Sequence, residues 1–178
     1  MKLRRTNFHT VRTYDQILDR SLCENLIQVF ESKKDFHESV DNQGKPNFVQ
    51  LNLNQHYPEI IDSLIGRIRV CLDIYKMDLL DVSKYLPPMK KMEQFRLKKY
   101  EPGGHDRFDE HIDVADLNSS RRYLSFLFYL NDVEVGGETE FPFHDIMIKP
   151  KAGSVLIFPP IWEYPHSGLP PKSWTKYI

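Results

Sequence analysis

The chain has 178 residues, 40% of them hydrophobic and 12% aromatic, with a net charge of −1 at pH 7. That composition suffices for a sizeable core and excludes a disordered chain. The near-zero charge excludes a global field that would draw the protein to nucleic acid or to an anionic membrane.

In chain order, residues 1–12 alternate charged and polar types and lack the apolar stretch of a signal peptide. No apolar run approaches the ~20 residues of a membrane span. The expectation is a soluble protein of a reducing, cytoplasmic compartment. Residues 14–33 carry Ile17, Leu18, Leu22, Leu26, Ile27 and Phe30 near a 3.6-residue spacing, which predicts a helix. Ser21 followed by Glu24 resembles a capping box, so the main helix is expected to begin there. Val49, Leu51 and Leu53 alternate with polar residues and predict a short strand over 47–53. Pro58 suits the first turn of a second helix. Its buried stripe would be Ile60, Ile61, Leu64, Ile65, Ile68, Cys71, Leu72 and Tyr75. Pro87-Pro88 ends any helical possibility. Cys23 and Cys71 fall inside these patterns and read as small core residues rather than a disulfide.

From Met92 the period changes. Residues 93–100, 122–130, 145–149 and 154–158 are short strand-like runs. They are bounded by Pro102-Gly103-Gly104, Asn131-Asp132, Gly136-Gly137 and Lys151-Ala152-Gly153, all turn signals. Lys90, Lys91, Arg96, Lys98 and Lys99 form the local basic cluster. Glu93 and Glu101 interrupt it, so a solvated sheet face is expected rather than a phosphate-binding patch. Helices followed by strands argue for an α+β fold. The helices would cover one face of a mostly antiparallel sheet pair, and the strands would close as a barrel or jelly roll.

His111-Ile112-Asp113 sets two metal-capable side chains two residues apart, and on a strand both would point to one side. The spacing is common, so it gains weight only with a third ligand. His166 lies 55 residues downstream, beyond a run of strands that can return the chain across the barrel. Two imidazoles and one carboxylate on one face of an ion leave other positions open, the pattern of non-haem iron(II) oxygenases. His166 alone would read as a loop histidine, and His9, His37 and His56 as exposed ones; His105 and His144 lie nearer the site in sequence. Lys176 follows His166 by ten residues. Its long stem could cross an apolar wall and bring charge to the far carboxylate of a dicarboxylic cosubstrate. Alone it would read as an exposed terminal lysine.

Several segments in order resemble the prolyl 4-hydroxylase-like iron(II)/2-oxoglutarate dioxygenases, from about residue 93 to residue 178. They are Tyr100-Glu101-Pro102-Gly103-Gly104, His111-Ile112-Asp113, Arg122-Tyr123-Leu124-Ser125 and Tyr129-Leu130-Asn131-Asp132-Val133. They continue as Gly136-Gly137-Glu138-Thr139-Glu140-Phe141-Pro142, as Pro150-Lys151-Ala152-Gly153-Ser154-Val155-Leu156-Ile157-Phe158, and as His166-Ser167-Gly168-Leu169-Pro170-Pro171 leading to Lys176. The resemblance implies a double-stranded β-helix (jelly-roll) core with supporting N-terminal helices. It implies a single dioxygenase domain over 1–178, with helical support at 1–90 and the core at 91–178. A further strand that the family places after the lysine has no counterpart before Ile178.

By motif position the resemblance makes His111, Asp113 and His166 the Fe(II) ligands and gives Lys176 the 2-oxoglutarate C5 carboxylate. Tyr100 and Tyr129 fall where the family places cosubstrate-contacting tyrosines, core packing being the equal reading for Tyr129. Arg122 matches a peptide-substrate contact. Ascorbate is a further cofactor the resemblance brings with it. The implied reaction uses O2 to convert 2-oxoglutarate to succinate and CO2 while an unactivated C–H bond is hydroxylated. A prolyl residue of a peptide or protein is the favoured substrate, with a free amino acid or another peptidyl side chain second. Phe126, Phe128, Phe141, Phe143, Phe158 and Trp162 are the aromatics available to keep the site dry. Two other classes compete, a non-catalytic jelly-roll binding module and a zinc hydrolase with the same ligands. Lys176 separates the oxygenase from both, since neither needs it.

Overall fold

The structure, a computed structural model, describes residues 10–41 and 47–178. The leader reading of the first residues and the exposure of His9 lie outside them. β1 (Arg12–Tyr14) precedes α1 (Arg20–Ser32), which buries Cys23, Leu26 and Phe30. This helix starts one residue before the expected Ser21. Asp19 is the N-cap, its carboxylate accepting from the Leu22 N–H at 2.8 Å and from the Ser21 hydroxyl at 2.7 Å. Aspartate caps as well as serine and adds a negative charge at the positive end of the helix dipole. Glu24 pairs with Arg20 at 3.5 Å instead of closing a box on Ser21.

β2 (Glu38–Asp41) and β3 (Asn47–Asn52) form an antiparallel pair, and α2 (Leu53–His56) is a single turn. α3 (Pro58–Asp78) begins at the expected proline and buries Leu64, Ile68, Cys71, Leu72 and Tyr75, and α4 (Leu80–Ser83) ends the helical part. The first ninety residues are therefore not purely helical, since three strands among them join the sheets. β1 and β2 are three and four residues long, too short for a period to register.

The remaining strands are β4 (Arg96–Tyr100), β5 (Phe108–His111), β6 (Ser125–Phe128), β7 (Thr139–Phe141), β8 (Ile146–Ile148), β9 (Val155–Phe158), β10 (His166–Gly168) and β11 (Lys176–Tyr177). All pairings are antiparallel, in the orders β1-β9-β6, β5-β10-β7-β8 and β11-β4-β3-β2. A bond from the Leu130 N–H to the Tyr177 carbonyl links the end of β6 to β11, so the first and third groups share one layer. The fold is α+β, a jelly roll with helices on one outer face. The strand expected over 122–130 shrinks to β6 because a turn of 3-10 helix at Ser119–Arg121 precedes Arg122.

Two apolar clusters hold the layers. On the helix side, Leu26, Phe30, Leu64, Cys71 and Tyr75 pack on Leu51, Leu97, Val155 and Ile157. Between the sheets lie Tyr129, Phe141, Leu156 and Phe158. Full burial of one such side chain is worth roughly 1.5–3 kcal/mol. Both cysteines are buried and free, as expected. Gly153 has φ +76, and a Cβ there would stand 2.3 Å from the Leu18 carbonyl oxygen. Its own carbonyl accepts from the Ile17 and Leu18 N–H groups, so this turn ties the segment before α1 to the core. Among the described residues no helix is long and apolar enough to cross a membrane.

Candidate active site

Strand register assembles the site. In the β5–β10 pair His166 lies opposite His111, and their ring centroids are 4.3 Å apart. Directly opposed residues on paired strands share a face, which is why a 55-residue separation in sequence vanishes. β5 ends at His111, so Asp113 stands just beyond the strand in a bend, not on it as expected. It still reaches the pair: Oδ1 lies 3.6 Å from His111 Nε2 and 3.9 Å from His166 Nε2. One ligand atom from each of the three falls within 4.8 Å of the others.

Each group is aimed by a second contact. His111 Nδ1 lies 2.8 Å from the Asp109 carbonyl and His166 Nδ1 lies 3.1 Å from the Tyr164 carbonyl. A carbonyl only accepts, so both Nδ1 atoms carry the proton and both Nε2 lone pairs face the centre. The Ser125 hydroxyl donates to Asp113 Oδ2 at 2.7 Å, leaving Oδ1 for an ion. Arg122 donates to the Asp113 carbonyl at 2.6 Å and to Glu93 at 2.7 Å. Burial opposes charge on Asp113, but the His111 contact, the nearby His166 and the Ser125 hydrogen bond bring its carboxyl down to about 2. His166 is lowered to about 4 by burial and by His111, with Asp113 opposing. At neutral pH the cluster is thus an anionic carboxylate with an unprotonated buried imidazole, a donor set that fits a divalent ion of borderline softness.

Lys176 lies deep in the cavity that also reaches His111, Asp113 and His166. It is 2% exposed, opposite Tyr100 in the β4–β11 pair, with Nζ 5.3 Å from the Tyr100 ring centre and 5.7 Å from that of Tyr129. No ion pair to it exists among the described residues, and burial together with Lys98 lowers its ammonium to about 7, Glu138 opposing weakly. A buried cation without a carboxylate partner, facing a cavity, fits the carboxylate of a ligand. Tyr100 lines the cavity, and burial raises its phenol. Tyr129 turns its hydroxyl to Thr139 Oγ1 at 2.7 Å, so its ring alone faces Lys176.

Other expectations change. His105 is exposed on a turn, and His144 bonds the Glu163 carbonyl and stacks on Tyr164, so neither joins the triad. His37 and His56 are half-buried against Phe30 and Phe36 rather than exposed. Phe143 and Trp162 are each 71% exposed, and Phe126 and Phe128 join the helix-side core. Only Phe141 and Phe158 of that set flank a metal-site ring, at 5.7 and 4.6 Å from His166. Lys98, assigned to a solvated face, instead lines the cavity, while Lys99 on the other side of β4 pairs with Glu31 and Glu101. Strand alternation from Tyr100 was the signal that could have found it. Ser125 carried no such signal.

The family model described as the 2OG-Fe(II) oxygenase superfamily matches residues 95–178. A probable prolyl 4-hydroxylase 9 of Arabidopsis thaliana is 36% identical over 91 residues, covering 40% of this chain and 31% of that protein. The chain thus matches about a third of that relative's length. A PKHD-type hydroxylase of Synechococcus is 29% identical over 154 residues, covering 81% of this chain and 65% of that protein. Among solved structures, the viral collagen prolyl hydroxylase of Paramecium bursaria Chlorella virus-1, in its 2OG complex, superposes with a TM-score of 0.73 at 25% identity. The superposition covers 94% of this chain and 92% of that one. A prolyl-4-hydroxylase of Pseudomonas putida shares the fold with a TM-score of 0.72 at 17% identity, over 95% and 89% of the two chains. With the jelly roll and the clustered triad already in place, the domain matched over residues 95–178 and these relatives make the chain similar to the prolyl 4-hydroxylase-like 2OG-Fe(II) oxygenases.

Proposed function

We propose that this protein is an Fe(II)- and 2-oxoglutarate-dependent hydroxylase acting on a prolyl residue of a peptide or protein. The observation that carries the reading is one cavity holding both the His111–Asp113–His166 cluster and the buried, unpaired Lys176. A binding module or a zinc hydrolase would use the cluster but would have no use for the lysine. The prolyl substrate is supported by the relatives, which bear prolyl hydroxylase names.

His111 Nε2, Asp113 Oδ1 and His166 Nε2 would hold Fe(II) on one side, leaving the opposite positions to ligands. Bound there with 2-oxoglutarate, the metal supplies the oxidising chemistry: one oxygen atom of O2 leaves in succinate, with CO2, and the other enters the substrate as hydroxyl. Lys176 would take the C5 carboxylate, and the ring of Tyr100 would wall the ligand's methylene chain, while the buried ring of Tyr129 packs near the lysine. Arg122, fixed to the Asp113 carbonyl and to Glu93, holds the loop that carries the anionic ligand and stands at the cavity mouth where a peptide would pass. Phe141 and Phe158 shield the His166 side from water. The test is succinate formation from 2-oxoglutarate under air with Fe(II), with and without proline-containing peptides. Peptide-stimulated succinate is expected; none, with any proline peptide, would overturn the prolyl reading.

A further inference from the structure

Apart from the charged residues at the mouth of the cavity (Lys91, Glu93, Arg96, Arg121 and Arg122), its interior holds one positive charge more than a metal-bound dicarboxylate requires. An Fe(II) ion, the Asp113 carboxylate, the Lys176 ammonium and a 2-oxoglutarate dianion already sum to neutrality, with both imidazoles uncharged. Lys98 is additional. Arg96, Lys98 and Tyr100 alternate along β4 and so share one side of it. Tyr100 faces Lys176 from the interior, Lys98 lines the same cavity half-buried, and Arg96 stands at its exposed end.

The Lys98 stem is fixed by rings rather than by a counter-charge. Its Nζ lies 4.9 Å from the Phe48 ring centre and 5.2 Å from that of Phe108. Phe108 in turn stacks on the His111 imidazole at 3.7 Å, which puts Lys98 beside the metal cluster. No carboxylate among the described residues forms an ion pair with it, in contrast to Lys99 on the other side of the strand. Burial lowers its ammonium to about 8, with Asp113 opposing and Arg96 adding to the fall. An ammonium held this way, without a partner, favours an incoming carboxylate.

We infer that Lys98 binds a carboxylate borne by the substrate, so that the enzyme selects a proline adjoining an acidic residue. This rests on the hydroxylase reading above and names its substrate class. The acid enters past Arg96 and is seated on Lys98, which sets the register of the peptide over the metal.

The test uses the full chain loaded with Mn(II) and 2-oxoglutarate, and calorimetric titration with blocked peptides Gly-Glu-Pro-Gly, Gly-Pro-Glu-Gly and their Gln counterparts. An acid should bind roughly ten- to hundredfold more tightly than its amide on at least one side of the proline, the worth of a charged hydrogen bond. In Lys98→Met that ratio should fall to near one, and in Lys98→Arg it should persist. The 2-oxoglutarate affinity of the same proteins distinguishes the other source of carboxylate. If Lys98→Met weakens the cosubstrate while the acid-to-amide ratio stands, or if the wild type binds both peptides equally, the inference is overturned. A protein that makes no succinate with any peptide fails the hydroxylase reading instead. The acid-to-amide ratio, an equilibrium quantity, is read separately from turnover.

Discussion

Replacing Lys176 by methionine should make the free protein more stable and its cosubstrate binding much weaker. Methionine nearly matches the lysine stem in volume, so little packing is lost. The folded state lowers the Lys176 ammonium from 10.5 to about 7. At pH 7 that shift is a folding cost of roughly 4 kcal/mol by linkage. Contacts with the Tyr100 and Tyr129 rings at 5.3 and 5.7 Å return part of it. Cation–π contacts are worth about 1 kcal/mol each, which leaves a gain of about 2 kcal/mol for Lys176→Met. For a chain of this size that raises Tm by about 4–8 °C. The wild-type protein binds fewer protons folded than unfolded between pH 7 and 10.5, so its stability rises with pH there and the variant's advantage shrinks. Cosubstrate binding moves the other way. A C5 carboxylate left without its cation loses on the order of 3–5 kcal/mol, a factor of at least a hundred in Kd. Thermal melts at pH 7 and pH 10, with titration of 2-oxoglutarate into the Mn(II)-loaded proteins, measure both effects. A variant that melts lower than wild type at pH 7, or that keeps its 2-oxoglutarate affinity, would refute the assignment of Lys176 as an unpaired anchor.

Asp113→Ala removes the anionic ligand and should abolish succinate formation; near-normal turnover would take Asp113 out of the site. Ser125→Ala releases Asp113 Oδ2 from its 2.7 Å hydrogen bond and should weaken metal binding by about 10- to 100-fold, read by competition with a chelator. Because the free protein's Lys176 is lowered to about 7, binding 2-oxoglutarate should take up a proton above that pH. Affinity should then weaken by up to about tenfold per pH unit, and calorimetry in buffers of different ionisation enthalpy detects the uptake. Gly153→Ala puts a Cβ against the Leu18 carbonyl at a φ of +76 and should lower stability by about 2–4 kcal/mol, measured by urea unfolding.

The parts of the fold legible in the sequence are those whose signal is local. α3 shows its apolar period over 21 residues and starts at its proline, and β9 is a continuous apolar run after a turn glycine. β7 and β10 are three residues long, and neither repeats a pattern often enough to stand out. Their identity comes from cross-strand partners, which composition does not display. Asp19 and Ser21 are both good caps, and only backbone geometry decides between them in favour of Asp19. For Lys98 two signals conflict: its charge suggests solvent, whereas its position two residues before Tyr100 on β4 points it inward.

The metal cluster was found from residue types, but its working geometry rests on register. His166 opposes His111 at a point where the β5–β10 ladder shifts register before Gly168. Such an irregularity re-aims a side chain, and a slip of one residue would turn His166 to the other face of its strand. Gly168 lies opposite Phe108, with a hypothetical Cβ 3.5 Å from that residue's Cβ, an ordinary contact. The close approach of the two strands therefore does not depend on glycine at 168. The turn that returns the chain after β10 is held elsewhere, where the Gly137 and Leu169 N–H groups bond the Pro170 and Glu138 carbonyls. These two bonds tie β10 to the segment entering β7, so the position of His166 is fixed from its C-terminal side as well as by its own Nδ1 contact. The same segment carries Glu138 and Gly137 past Lys176, so the backbone that positions His166 also shapes the wall around Lys176. The two ends of the proposed cosubstrate site are thus one structural unit, and a change that displaces the β7–β10 turn should weaken metal and dicarboxylate binding together.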